Sequence, residues 1–273
     1  MSVPPSRLFW GIIPWYGLLI ALGAALAVFL THRESVRFGF PKDCVLDLAL
    51  WVLPIGILGA RAYYVLFSLP AYRDRPLSVF YLWEGGLAIY GGIIAGILVC
   101  WLGCRHKKIS FPAMLDLSCF GLLIGQCVGR WGNFMNREAF GRETNVFCRM
   151  GLTAPDGTTV YVHPTFLYES LWNLLGLCLL ILFMKKGRRR YDGHCILLYF
   201  LWYGVGRFWI EGLRTDSLYL GGTGIRVSQL LSLILALAAG TILFLNRNRP
   251  AMQSGDPILQ TTQTEDEHHG NGL

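Results

Sequence analysis

Arginines and carboxamides recur in one short stretch of this sequence, at spacings typical of one face of a helix. Arg130, Asn133 and Arg137 follow one another at intervals of three and four residues. A guanidinium donates hydrogen bonds in a planar fork that matches a phosphate group, and a carboxamide adds a further donor. Glycines nearby leave room for close approach to the backbone: Gly125, Gly129 and Gly132. The stretch predicts a phosphodiester-binding site; alternatively, its asparagines only cap a loop.

A second stretch carries charge inside an otherwise apolar segment. Tyr203, Arg207, Glu211 and Arg214 recur at intervals that place them in one stripe on a helix. An ionisable group at the centre of a bilayer costs about 2.5–3.5 kcal/mol, so such groups face a protein interior or a wet cavity. Two arginines against one glutamate leave a positive excess that suits an anionic ligand. The alternative is a purely structural pair between arginine and glutamate that joins two helices.

Two glycine pairs, Gly85-Gly86 and Gly91-Gly92, flank Tyr90 at a place where a helix should begin. This spacing is typical of a bent or interrupted helix that lines a cavity. The alternative is a tight helix-packing face with a hydrogen-bonded tyrosine hydroxyl.

The segment HPTFLYE, residues 163–169, begins another apolar stretch. Glu169 lies one turn inside the expected helix and needs a partner, for which one of the arginines is the candidate. Asp116, inside a different apolar stretch, needs a partner for the same reason. A single histidine such as His163 is more often structural than catalytic.

The elements that must position these residues are membrane spans. The chain has 273 residues, of which 53% are apolar and only 15% charged, whereas a soluble domain carries about 25% charged residues. A helix needs roughly 20 apolar residues to cross a bilayer, and the sequence predicts an all-α polytopic membrane protein. We expect seven spans, at about 11–31, 46–69, 86–104, 112–130, 164–184, 194–212 and 225–246.

The distribution of lysine and arginine predicts the orientation of the spans. With the N-terminus outside, 13 basic residues fall in inside loops and 9 in outside segments, and the run of five at 185–190 lies inside. We therefore expect an outside N-terminus and a cytoplasmic C-terminus. Residues 1–246 should form a seven-helix catalytic domain with an extracytoplasmic loop at about 131–163. Residues 247–273 should form a disordered cytoplasmic tail.

Several classes of function are disfavoured by composition. The formal net charge of +7 comes from short basic runs between spans, which argues for topology signals rather than a nucleic-acid partner. Eight cysteines form no CxxC pair, and we expect them to act as small apolar residues rather than metal ligands. No internal repeat is visible, which weakens a transporter built from inverted halves.

Together these segments resemble the prolipoprotein diacylglyceryl transferase family. The pattern G-R-x-G-N-F-x-N-x-E-x-x-G is matched in full from Gly129 to Gly141. Four further segments stand in the expected order: Trp15-Tyr16-Gly17, GGLAIYGG at 85–92, HPTFLYE at 163–169 and GVGRFWIEGLR at 204–214. The resemblance covers about 10–230 and leaves out the tail. One departure is Tyr90, where many members carry a histidine.

The resemblance implies transfer of a diacylglyceryl group from phosphatidylglycerol to the lipobox cysteine of a prolipoprotein signal peptide, with release of glycerol phosphate. It implies no cofactor or metal, and a site towards the extracytoplasmic face of the bacterial plasma membrane. By carry-over, Arg130 and Arg207 bind the phosphate. Asn133, Glu138 and Gly141 are carried over as shaping the same site. Further polar positions of the family are matched by Tyr16, Glu169 and Glu211.

The expected chemistry is attack of the peptide sulfur on a glycerol carbon, which places negative charge on the departing phosphate oxygen. Arg130 and Arg207 would stabilise that charge. The thiol must lose its proton, and Tyr90, Glu138 and Glu211 all remain candidates for the base. The rival hypothesis is a transporter or flippase for an anionic lipid, which would leave no covalent product.

Overall fold

The computed structural model describes residues 8–9, 13–73, 75–82, 85–154, 156–220 and 223–252. This part of the chain is predominantly helical. Its α-helices are α1 Trp15–Ser35, α2 Cys44–Phe67, α3 Ile89–His106, α4 Phe111–Asn136, α5 Thr165–Lys185, α6 His194–Glu211 and α7 Val227–Leu245.

Six of these helices are long and apolar enough to cross a membrane. Even 18 residues reach about 27 Å at 1.5 Å per residue, close to the thickness of the hydrocarbon core. The helix outside that group is α6, which has 18 residues and contains Arg207 and Glu211. The chain is therefore a multi-pass membrane protein, and the helix outside the group is one that carries candidate site residues.

Two short β-hairpins accompany the helices, so the expectation of an all-α protein is incomplete. Leu8–Phe9 (β1) pairs with Ile13–Pro14 (β2), and Met150–Thr153 (β3) pairs with Thr159–Val162 (β4) in a second antiparallel hairpin. The β3–β4 hairpin lies in the predicted 131–163 loop. It packs against two helices through a buried apolar cluster: Phe134, Met150, Val162 and Phe166.

Each predicted span coincides with a helix, and two boundaries differ in an informative way. The first span starts at Trp15 rather than residue 11, because Ile13–Pro14 is a strand. The fourth helix continues to Asn136, six residues beyond the predicted end. Arg137 follows with φ of 57°, a left-handed conformation that ends the helix. The prediction that Arg137 continues the helical face of Arg130 is therefore wrong.

Two compact units divide the chain. The first combines the residues up to Glu34 with Leu115–Ser254, and the second includes Ser35–Met114. In the first unit, small residues bring α1 and α4 together: a Cβ on Gly23 would lie 3.4 Å from the Gly125 carbonyl oxygen. Gly125 therefore serves helix packing rather than ligand approach.

Two tryptophans join α5 and α6 in a reciprocal arrangement. The indole N–H of Trp172 donates to the Trp202 carbonyl, and that of Trp202 donates to the Trp172 carbonyl, both at 3.0 Å. Their rings stack with centroids 4.2 Å apart. A Cβ on Gly176 would collide with Trp202, and one on Gly206 with Trp172. Glycine at these two positions is what lets each ring lie flat against the opposite helix.

In the second unit, α2 and α3 pack through their glycines. A Cβ on Gly91 would collide with the Gly59 carbonyl, and one on Gly92 would lie 3.3 Å from the Gly56 carbonyl. Gly91 and Gly92 therefore lie in a tight helix-packing face, as the alternative interpretation predicted for the glycines. The preceding pair, Gly85-Gly86, has positive φ values of 82° and 70°.

Arg61 holds the loop that contains this preceding glycine pair. It is 5% exposed and donates to the carbonyls of Gly85 and Ser78 at 2.5 and 2.6 Å, and of Val79 at 2.8 Å. A buried guanidinium thus replaces regular backbone pairing in the segment that leads into α3.

Most of the predicted tail lies outside the described residues, which end at Met252. The backbone N–H of Met252 donates to the Arg189 carbonyl at 2.8 Å.

Candidate active site

Glu169, in the first turns of α5, is the centre of an ionic cluster that joins three helices. Its carboxylate lies 2.6 Å from Arg130 of α4 and 3.1 Å from Arg207 of α6. Arg214, just beyond α6, lies 3.8 Å away. The Glu169 side chain is only 8% exposed. We call these four residues, with the carboxylates and carboxamides they contact, the Glu169 cluster; it supplies the partner that Glu169 was predicted to need.

Two of the arginines have a second carboxylate each. Arg207 pairs with Glu211 at 2.6 Å, one turn along α6. Arg214 donates to both carboxylate oxygens of Asp216, at 2.9 and 2.8 Å. These hydrogen bonds lower the pKa of Asp216 below its ordinary value, against the opposing effect of burial. Asp216 therefore stays ionised and offsets Arg214.

Arg130 is the least compensated of the three arginines. It shares the Glu169 carboxylate with Arg207 and Arg214, and its other hydrogen bond goes to the neutral side chain of Asn133, at 3.4 Å. Its side chain is also the most exposed of the three, at 24% against 15% for Arg207 and 12% for Arg214. Arg130 is therefore the guanidinium best able to accept an additional anion.

The predicted positive excess on α6 is smaller than the sequence indicated. The cluster sets three arginines against three carboxylates: Arg130, Arg207, Arg214, Glu169, Glu211 and Asp216. The cluster as a whole therefore carries no net positive charge. Positive charge is in excess only around Glu169, where three guanidiniums share a single carboxylate. Asp216 was missed from sequence, although an acidic residue two positions after Arg214 was a visible signal.

A hydrogen-bonded chain leads from Arg130 to an exposed carboxylate. The Asn133 amide donates to Glu138 at 2.8 Å, and the Asn136 amide donates to the same oxygen at 3.4 Å. The Glu138 N–H also bonds the Asn133 carbonyl at 3.1 Å. The asparagines thus both end the helix and hold Glu138, so the loop-capping alternative describes part of their role.

Gly141 supports the site through its backbone. Its N–H donates to the His163 carbonyl at 3.0 Å, and a Cβ there would lie 3.0 Å from the Leu213 carbonyl. The ring nitrogen Nδ1 of His163 lies 3.2 Å from the Tyr168 hydroxyl, which fits a structural histidine. These contacts tie the segment after α4 to the start of α5 and the end of α6.

Tyr16 borders the site from α1. Its ring lies against Gly132, where a Cβ would approach it to 2.7 Å. Tyr16 is 39% exposed and adjoins the helical turn that carries Arg130 and Asn133. The first unit therefore contains all the predicted site residues except Tyr90.

Tyr90 lies in the second unit, as the second residue of α3, and is 60% exposed. A helix does begin at this position, as the glycine spacing predicted.

Comparison with known proteins now decides the family. The profile of the family described as "Prolipoprotein diacylglyceryl transferase" matches residues 8–245. The chain belongs to this family.

Several curated relatives extend the match across nearly the whole chain. A protein from Enterococcus faecalis is 46% identical over 256 residues, covering 90% of this chain and 91% of the relative. One from Shouchella clausii is 45% identical over 249 residues, covering 86% and 88%. One from Halalkalibacterium halodurans is 42% identical over 252 residues, covering 88% and 86%. Each is named phosphatidylglycerol–prolipoprotein diacylglyceryl transferase. The family resemblance found in the motifs is confirmed.

Proposed function

We propose that this chain transfers the diacylglyceryl group of phosphatidylglycerol to the lipobox cysteine thiol of prolipoproteins. Family membership and the names of its relatives support a transferase with these two substrates. The observation that carries the proposal is the Glu169 cluster, in which guanidiniums from two helices converge on one carboxylate. None of the matched names supports the transporter alternative.

Arg130 and Arg207 bind the lipid phosphate in this proposal. A carboxylate and a phosphate present the same kind of oxygen pair to a guanidinium fork, so Glu169 marks the position that an anion prefers. The phosphate joins or partly replaces Glu169, and Glu169 keeps the two guanidiniums aligned when no lipid is bound. Asn133 adds a donor, while Tyr16 and Gly141 shape the borders of the site.

The reaction forms a bond between sulfur and the glycerol carbon and breaks the bond between that carbon and the phosphate oxygen. The electron pair of the broken bond stays on the phosphate oxygen, and glycerol phosphate leaves. Preorganised donors aimed at that oxygen stabilise the transition state, because the charge develops there. The thiol proton goes to a base on the enzyme.

Glu138 is the base we favour. It is exposed and held by two neutral carboxamides, so a peptide thiol can approach it. Glu211 is only 2% exposed and paired with Arg207, which fits a residue that positions the arginine. Tyr90 remains the alternative base, to be separated from Glu138 by substitution.

The site is proposed to face the outside of the bacterial plasma membrane. The cluster lies where α4 and α6 end and α5 begins, so it belongs to one membrane side. The run of five basic residues at 185–190 follows the opposite end of α5. Because basic loops stay in the cytoplasm, the cluster is assigned to the extracytoplasmic side. Residues 1–246 form the catalytic domain in this proposal.

A mass measurement tests the function. Purified enzyme in phosphatidylglycerol micelles is incubated with a synthetic lipobox peptide, and the peptide is expected to gain the mass of one diacylglyceryl group. A peptide with serine in place of the cysteine is the control. Lipid transfer without any peptide adduct would favour the transporter hypothesis and overturn the proposal.

A further inference from the structure

An apolar groove lies between α5 and α6, and the chemistry proposed above does not use it. The groove encloses about 390 Å³ and is lined almost wholly by apolar side chains. Its floor is buried: Leu123 is 2% exposed, Leu180 6% and Tyr199 7%. Its rim is open, since Leu179 and Val205 are each 45% exposed. The groove is therefore a recess in the lateral face of the helices, open to the surrounding lipid.

The two stacked tryptophans make one wall of the groove rigid. Trp172 and Trp202 both line it, and each indole N–H is hydrogen-bonded to the backbone of the opposite helix. Because both polar atoms of this wall are satisfied internally, the wall offers an apolar ligand only ring carbons. A recess held open in this way needs little rearrangement to bind a ligand.

The groove continues from the Glu169 cluster along α4 and α5. On α5, Trp172 follows Glu169 by three residues, and the lining continues to Phe183. On α4, the lining residue Leu123 lies two helical turns before Arg130, on the same face. On α6, the lining runs from Val205 back to Leu198, on a different face from Arg207. At the far end, the ring of Phe183 packs against that of His194, with centroids 5.1 Å apart. The groove thus extends from the proposed phosphate site into the depth of the membrane.

The dimensions of the groove match an extended hydrocarbon chain rather than a helix. From Trp172 to Phe183 the lining covers about 16 Å at 1.5 Å per residue. A volume of about 390 Å³ along that length describes a long, narrow recess. A helix with its side chains is about 10–12 Å across, so an extended acyl chain matches this recess better than the apolar helix of a signal peptide does.

We propose that this groove binds one acyl chain of the lipid whose phosphate lies at Arg130 and Arg207, and that its depth selects chain length. The inference rests on the proposed function, since that function places the phosphate at the upper end. Burial of each methylene is favourable, so a chain that fills the groove binds more tightly than one that ends halfway. Leu198 lies about 10 Å deeper than Val205 and should sense only long chains.

The test is substitution of Leu198, a lining residue about midway along the groove. Leu198→Trp should lower kcat/KM for dipalmitoyl phosphatidylglycerol by about tenfold, the loss expected when roughly two methylenes cannot be buried. Transfer from the dioctanoyl lipid should stay within about twofold, because its chain ends before Leu198. The dioctanoyl rate is therefore an internal measure of folding.

Leu182→Trp is the matched control. Leu182 lies on α5 and is 51% exposed, and it is not among the residues that line the groove. The same added bulk there should leave the preference between the two lipids unchanged. A change in preference in Leu182→Trp equal to that in Leu198→Trp would overturn the proposal.

Leu198→Ala keeps the proposal testable if the larger side chain prevents folding. Widening the groove at this depth should favour long acyl chains over short ones. The groove assignment would be overturned if Leu198→Ala left the preference between the lipids unchanged. It would also be overturned if folded Leu198→Trp protein lost activity equally with both lipids. If the preference follows the length of the peptide's apolar segment instead, the groove belongs to the peptide. Absence of transfer from every lipid in the unsubstituted enzyme would count against the proposed function itself.

Discussion

The two ends of α4 hold buried ionic clusters that differ in how their carboxylates are satisfied. Near its N-terminal end, Asp116 is fully buried and accepts hydrogen bonds from Arg189 at 3.0 Å and from the backbone N–H groups of Gly193 and Ile196 at 2.9 and 2.8 Å. Arg189 also pairs with Asp192. We call these residues the Asp116 cluster. Near the C-terminal end, three arginines share Glu169.

The difference distinguishes a cluster that stabilises the fold from a cluster that can bind a ligand. Asp116 caps the first turn of α6 from another helix, where a negative charge is also favoured by the helix dipole. Every strong donor near it has a partner, which leaves little for a ligand to bind. In the Glu169 cluster, donors outnumber the acceptor they share, and Arg130 keeps 24% of its side chain exposed. A saturated cluster holds the fold together, whereas a shared carboxylate leaves capacity for a substrate anion.

The largest expected effect is loss of the arginines that share Glu169. Arg130→Ala or Arg207→Ala should reduce transfer to the lipobox peptide by about 10³-fold or more, because a preorganised donor to the developing charge is removed. Arg247→Ala, at the exposed far end of α7, is the control and should retain activity. Full turnover in either site variant, measured by peptide mass, would contradict the phosphate assignment.

The next effect concerns stability and tests the other cluster. Asp116→Asn should lower the free energy of unfolding by about 3 kcal/mol, because Arg189 loses a buried counter-charge. Turnover per folded molecule should change little. Denaturant titration in micelles measures the first quantity and the peptide assay the second. Unchanged stability with lost turnover would reverse the roles given to the two clusters.

Beside the Glu169 cluster, the role of Glu138 as the base is tested by Glu138→Gln. Removing a general base typically costs about 10²-fold in rate, and the amide keeps the shape and the bonds to Asn133. Tyr90→Phe is the matched variant and should lose less. A deep loss in Tyr90→Phe with an active Glu138→Gln would transfer the base role to the tyrosine.

Glu169→Gln neutralises the shared carboxylate, in direct comparison with Asp116→Asn. We expect about a tenfold loss of kcat, because the guanidiniums lose the charge that aligns them, and a smaller loss of stability than in Asp116→Asn. The midpoint of thermal unfolding and kcat are measured on the same samples. A larger stability loss than in Asp116→Asn would show that Glu169 is mainly structural.

The smallest effect is expected at Cys127. This thiol is buried and lies 3.2 Å from the Ser170 hydroxyl. It is on α4, three residues before Arg130. Cys127→Ala should change turnover by less than about twofold, since the reacting thiol belongs to the peptide. Strong inactivation by this substitution would mean that the enzyme uses its own cysteine.

Much of the architecture was predictable, because hydropathy is a local property. A run of apolar residues specifies a span by itself, and all seven helices lie where such runs occur. Helix ends were less predictable: α4 continues to Asn136, where a backbone in the left-handed conformation at Arg137 ends it. The hairpin β3–β4 also escaped prediction, since its four-residue strands depend on packing against Phe134 and Phe166.

The sequence alone determined the helical segments, the family and the set of charged residues that lie inside apolar segments. Only the tertiary structure decided which partners those charges have. Glu169 lies 38 residues from Arg207 along the chain and Asp116 lies 73 from Arg189, and no local pattern encodes such pairings. Ion pairs and glycine contacts depend on which helix faces meet, and that depends on side-chain packing across the whole unit.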